Sequence, residues 1–138
     1  MIKDFIPRDK ILWAPFYNDG KQKVIFAEMG LPIIHEDEDF FEASKTKVFD
    51  TIIDNNPFSI TNKVYRRLKE MDKSFIMISP ASLLTATWFQ QLFKDDLQLI
   101  IPLTRLKFTS LSCDTKCSPP PVIYYCYKMN FEKDLYFV

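Results

Sequence analysis

Six short apolar runs, separated mostly by helix-forming stretches, decide what this chain can fold into. They cover residues 11–14, 32–35, 51–53, 74–79, 97–101 and 122–127, and prolines follow three of them, at Pro15, Pro80 and Pro102. Segment 21–29 (KQKVIFAEM) is helix-forming and ends at Gly30, where a glycine helix cap belongs. Ile60, Val64, Leu68 and Met71 recur at helical spacing, with Lys63, Arg66, Arg67, Lys69 and Glu70 facing out. Leu84, Trp88, Gln91 and Leu92 define a further helix ending near Phe93. Such alternation predicts a mainly parallel sheet with helices on its faces. No helix lies between the fifth and sixth runs, so those two are expected to pair antiparallel, as a hairpin around a long loop at 109–121. One α/β domain over 1–138 accounts for the chain.

Composition narrows the function classes. With 138 residues, 47% hydrophobic and 15% aromatic, the chain has enough apolar surface for a real core. Gly20 and Gly30 are its only glycines, so a glycine-rich phosphate loop is excluded. Lys+Arg and Asp+Glu balance at 18 each, so no global positive field draws the chain to nucleic acid or anionic lipid. A nucleic-acid enzyme would need a local basic patch or a partner. No apolar run approaches the ~20 residues of a membrane span, and the N-terminus (MIKDFIPRDK) lacks a signal-peptide apolar region. A cytoplasmic protein without membrane contact is expected. The three cysteines, Cys113, Cys117 and Cys126, are an odd number and argue against a disulfide framework. Cys113 and Cys117 have the spacing of half a zinc site, but the single histidine, His35, is remote, and no metal is expected.

In an open parallel sheet, ligands bind at the carboxyl ends of the strands. The loops there are 15–20, 36–41, 54–59 and 80–82. The first, Pro15-Phe16-Tyr17-Asn18-Asp19-Gly20, is either a simple strand-to-helix turn with Asp19 as cap or a place where Gly20 lets backbone approach a ligand. The acidic run Glu36-Asp37-Glu38-Asp39 is either a solvated charge run or the carboxylate that meets the hydroxyls of a ribose. Phe40-Phe41 behind it offers a ring for an adenine face or for the core. Asp54-Asn55-Asn56-Pro57-Phe58-Ser59 is turn chemistry, yet it also carries acceptors. An exocyclic amine donates two hydrogens, and the Asn55 side-chain carbonyl with the Asn56 main-chain carbonyl would take both. Phe58 would stack on the base, worth roughly 1–3 kcal/mol.

These loops, in this order, resemble those of the S-adenosylmethionine-dependent DNA adenine-N6 methyltransferases, with the closest likeness to small single-domain phage-type and bacterial members. The family's first motif resembles P-F-x-x-D-G, matched by Pro15, Phe16, Asp19 and Gly20. Its fourth, D/N-P-P-F/Y, is matched by Asn55-Asn56-Pro57-Phe58. HEDEDFF at 35–41 resembles the ribose- and adenine-contacting loop, and LQLIIP at 97–102 with YYCYKM at 124–129 resembles the C-terminal hairpin. The likeness spans about residues 10 to 135.

The resemblance implies a Rossmann-like methyltransferase fold, mainly parallel with a C-terminal antiparallel hairpin and helices on both faces. It implies S-adenosylmethionine as cofactor and methyl transfer to the amine of adenine, flipped out of DNA. The catalytic set would be Asn55, Asn56, Pro57 and Phe58. Asp39 and Phe40 would hold the cofactor adenine, Glu36 or Asp37 its ribose, and Pro15, Phe16, Asp19 and Gly20 its methionine end. The chain departs from the pattern where Asn56 replaces a proline whose ring fixes the neighbouring carbonyl. It also has no segment long enough for a target-recognition domain, so recognition would come from the 103–121 loop, a homodimer or a protein partner. A catalytically degenerate binding or scaffold subunit is the first alternative. A methyltransferase acting on RNA, a nucleotide or a protein amide is the second.

Overall fold

The apolar runs become strands, and their side chains alternate between two faces of one sheet. The computed structural model describes residues 3–17, 20–103 and 121–138. Asp19, Cys113, Cys117 and most of the loop expected between the last two runs lie outside the described residues. The strands are β1 (Leu12–Trp13), β2 (Ile33–Ile34), β3 (Thr51–Asn55), β4 (Ser74–Pro80), β5 (Leu97–Ile101), β6 (Val122–Tyr127) and β7 (Leu135–Phe137). They lie in the order β2-β1-β3-β4-β6-β5-β7. Parallel pairing joins β1 to β2 and β3, β3 to β4, and β5 to β7; β6 runs antiparallel to both β4 and β5. The central parallel strand at 51–53 and the antiparallel 97–101/122–127 pair are therefore as expected. The fold is α/β with a mostly parallel sheet.

Among the described residues, four α-helices accompany the strands: α1 (Lys21–Glu28), α2 (Phe40–Ala43), α3 (Thr61–Met71) and α4 (Thr87–Phe93). One face of the sheet carries Trp13, Ile52, Phe75, Met77, Tyr125 and Tyr127, covered by α2, α3 and α4. Tyr65 of α3 sits at the centre of this layer, with ring centroids of Phe89, Phe93, Phe75 and Tyr125 between 5.3 and 6.2 Å away, all edge-on. Such edge-to-face pairs add about 0.5–1.5 kcal/mol each beyond their buried area. The opposite face carries Ile53, Ile76, Ile100, Tyr124 and Cys126, with Phe26 of α1 and the C-terminal Phe131 and Tyr136 packed against it. No residue of α1 is itself buried. Among the described residues, no helix is long and apolar enough to cross a membrane.

Three differences from the sequence reading bear on the site. Strand β3 runs on through Asp54 to Asn55, so the polar block begins inside the sheet. Residues 40–41, the end of the expected 36–41 loop, instead open α2, because the Asp39 carboxylate accepts from the backbone N–H groups of Phe41 (2.8 Å) and Glu42 (3.4 Å). The chain also gains β7, a short strand that pairs in parallel with β5 at the sheet edge.

Candidate functional site

The carboxyl ends of β1 and β3 lie side by side, and the residues that leave them form one constellation. Its centre is Asp54, which is 3% exposed. Its Oδ2 accepts from the Phe16 N–H (2.6 Å) and its Oδ1 from the Asn55 N–H (2.7 Å), tying the turn after β1 to the end of β3. The Gln22 side chain also bonds it. Burial disfavours the charged carboxylate and pushes its pKa up to about 7, with the three hydrogen bonds opposing that shift.

Beside Asp54 lies an excess of acceptors. Asn55 Oδ1 is buried with no hydrogen-bond partner, and so is Gln22 Oε1. A buried unpaired carbonyl costs free energy unless a donor reaches it. Two such oxygens next to a buried carboxylate leave acceptor capacity that suits a group bringing N–H bonds or positive charge, and on β1 the buried Trp13 Nε1–H also lacks a partner.

Asn56, which stands where the resembled motif has a proline, is 2% exposed and bonded throughout its side chain. Its Oδ1 accepts from Ser79 Oγ (2.6 Å), and Ser79 Oγ in turn lies 2.7 Å from the hydroxyl of Tyr65. The relay is thus Tyr65 O–H to Ser79 O–H to Asn56. Its Nδ2 donates to the Pro57 carbonyl (3.1 Å) and to Thr61 Oγ1 (3.0 Å), while the Thr61 hydroxyl donates to the Phe58 carbonyl (3.0 Å). A proline ring restrains backbone from within; here an amide side chain restrains the same turn from outside. Phe58 leaves the turn 42% exposed, at the start of a 3-10 turn that leads into α3.

The turn after β1 is built differently. Pro15 and Phe16 are buried, Phe16 against Phe40 (5.1 Å between ring centroids). His35 is 2% exposed, with Nδ1 2.8 Å from the Ala14 carbonyl and Nε2 3.1 Å from the Tyr17 carbonyl. Carbonyl oxygens only accept, so a neutral ring satisfies one of them and the imidazolium both. The Tyr17 ring stacks on His35 at 5.0 Å. Gly20 has φ of 76°, and a Cβ there would meet the Tyr17 hydroxyl at 2.7 Å. The glycine therefore makes room for a ring of the chain itself.

The acidic run after β2 divides by partner. Glu36 pairs with Lys47 at 3.2 Å, and Glu38 pairs with the same ammonium. Asp39 is occupied as the cap of α2, and Phe40 is 3% exposed within the core, against Trp13 and Phe16. Asp37 is exposed and has no partner among the described residues. The structure thus gathers Pro15, Phe16, Gly20, Asn55, Asn56, Pro57 and Phe58 around the ends of β1 and β3, and sets Glu36, Asp37, Asp39 and Phe40 at the end of neighbouring β2.

Sequence reasoning missed Asp54, Gln22, Ser79 and Tyr65. An acid directly after Ile52-Ile53 was one available signal, since a strand flanked on both sides carries its last residue into the interior. The Ser79–Asn56 contact, 23 positions apart, had none. Among the described residues no cluster suited to a metal ion is present. Clefts of about 330 Å³ between α4 and β5 and about 330 Å³ near Asp50, Thr51 and Ser74 lie away from this end of β3. The chain matches no protein-family model, and no curated protein is significantly similar to it.

Proposed function

We propose that this chain is a Rossmann-like methyltransferase that binds S-adenosylmethionine and transfers its methyl group to the exocyclic amine of adenine in DNA. One observation carries the reading: buried, unpartnered acceptors stand beside Asp54 at the end of a central parallel strand, with an exposed aromatic ring three residues beyond Asn55. Asn55 Oδ1 is the acceptor for one amine hydrogen, the Asn56 main-chain carbonyl for the other, and Phe58 stacks on the base. Held by both hydrogens, the amine would present its lone pair before any proton leaves, and the proton displaced by the incoming methyl group would pass to solvent after the transfer.

The acceptor-rich end would take the ammonium of the cofactor's methionine moiety, near its sulfonium, while the carboxylate of that moiety would need donors from outside this cluster. S-adenosylmethionine would supply an electrophilic methyl group. Asp54, Gln22 and the 15–20 turn would hold its charged end, and Asp37, which has no partner among the described residues, its ribose. A cation beside Asp54 favours the carboxylate form, so binding releases a proton near pH 6 and tightens as pH rises toward the group's value of about 7. A second reading, a non-catalytic binding or scaffold subunit, draws on Tyr17, whose ring occupies the space over Gly20 that a ligand would approach.

A thermal-shift titration with S-adenosylmethionine separates the two. Ligand that binds the native state raises the melting temperature by mass action. Methyl incorporation into adenine-containing DNA should then be present in the wild type and lost in Asn55→Ala, with the thermal shift retained. No shift at millimolar ligand would remove the methyltransferase reading.

A further inference from the structure

The balanced net charge conceals a segregated one. Helix α3 carries four bases, Lys63, Arg66, Arg67 and Lys69, against one acid, Glu70, with Asp72 as its C-cap, while Lys94 is followed directly by Asp95 and Asp96. Glu70 and Asp72 sit at the far end of α3, away from Phe58. Internal contacts use some of the bases: Arg67 pairs with Glu70 (3.0 Å), Lys69 lies 3.8 Å from Asp96, and Lys73 donates to the Phe49 carbonyl (2.7 Å). Lys63 and Arg66, both exposed, meet no acid among the described residues. They lie three positions apart on α3, hence on one side of the helix and roughly 5 Å apart along its axis. The Arg66 guanidinium lies 5.9 Å above the ring of Trp88, which is only half-buried on α4.

We propose that Lys63, Arg66 and Trp88 form a face that grips single-stranded DNA beside the Asn55–Phe58 turn. The two cations take phosphates flanking the held base, and the indole is a platform for a neighbouring unpaired base. The assignment rests on the adenine-transfer reading and supplies the local basic patch that a chain of zero net charge needs. Fixed cations that replace condensed counterions make binding salt-dependent, whereas stacking on an aromatic ring tolerates any base. The arginine held over the indole presents both terms at one place.

The test is the anisotropy of a labelled, adenine-containing single-stranded oligonucleotide, titrated at several salt concentrations. The double variant Lys63→Ala/Arg66→Ala should weaken binding on the order of tenfold and reduce the slope of log K against log salt by about 1.4, for two phosphates. Oligonucleotide should quench tryptophan emission in the wild type, and Trp88→Phe should abolish the quench although Trp13 remains. Binding of the double variant with wild-type affinity and slope would overturn the proposal, as would a quench that survives Trp88→Phe. The S-adenosylmethionine thermal shift, followed in the same proteins, reports on the cofactor reading separately. A shift without oligonucleotide binding rejects this face and leaves the cofactor pocket standing.

Discussion

Two turns leave the same end of the sheet and are held in opposite ways. The turn after β3 is locked largely through one of its own side chains: Asn56 reaches back to Ser79 and forward to Pro57 and Thr61. The turn after β1 borrows its restraint, with Asp54 of β3 holding the Phe16 N–H and His35 facing the Ala14 and Tyr17 carbonyls. A turn with its own lock keeps its shape when its neighbours shift. A turn held by a titratable group and a stacked ring answers to pH and to whatever displaces that ring. The first is a rigid turn, the second an adjustable one.

The sharpest way to break the comparison is Ser79→Ala. It removes the middle of the relay and leaves the Tyr65 hydroxyl and Asn56 Oδ1 buried and unpaired. About 2–4 kcal/mol of stability should be lost, read by urea unfolding, while the 15–20 turn keeps its contacts. Next comes Asn56→Pro. The variant matches the resembled motif but deletes every side-chain bond of Asn56, so it should lose about 1–3 kcal/mol and lower methyl transfer. A variant with more activity than wild type would show that the amide lock is dispensable.

Asp54 sharpens the other side. Its folded-state pKa, about 7, stands above the ordinary value of 3.8, so the native state binds more protons between them. Stability from this group is fully present below about pH 4 and declines as pH rises to about 7, by at most about 1.4 kcal/mol per pH unit. Asp54→Asn should flatten that slope in unfolding curves at pH 5 and pH 8, at a loss of about 1–2 kcal/mol at the acid end because one backbone N–H loses its acceptor. The smallest effect on stability belongs to Phe58→Ala. An exposed ring contributes within about 0.5 kcal/mol, so melting should barely move while DNA methylation falls.

What was legible in the sequence follows the range of the forces involved. The continuous apolar run at 51–53 and the alternation of runs with helices mark a buried parallel strand, because burial on both faces leaves no room for polar alternation. The missing crossover helix before 122–127 marks the antiparallel pair just as directly. Strand β7 left no such trace: Leu135 and Phe137 are exposed, and its three residues are held by pairing with β5. The site was half legible. Asn55 and Phe58 stand out by residue type and position. The lock on Asn56 depends on Ser79, from a strand that reaches its side only through the sheet. Asp54 read as a turn former because nothing local says that Phe16 will donate to it from 38 residues away.

Strand β6 has a consequence for how the chain assembles in time. It alone joins β4 to β5, and all six of its residues are buried. β5 is synthesised first but has no other route into the sheet, so it must wait for residues 122–127 to leave the ribosome. Until then β4 ends the sheet as an open edge of unpaired backbone, the kind that recruits other strands. Pairing 75 with 127 and 80 with 122 closes long loops, a slow step in folding. The nascent chain thus carries an open strand edge between the synthesis of β4 and the arrival of β6.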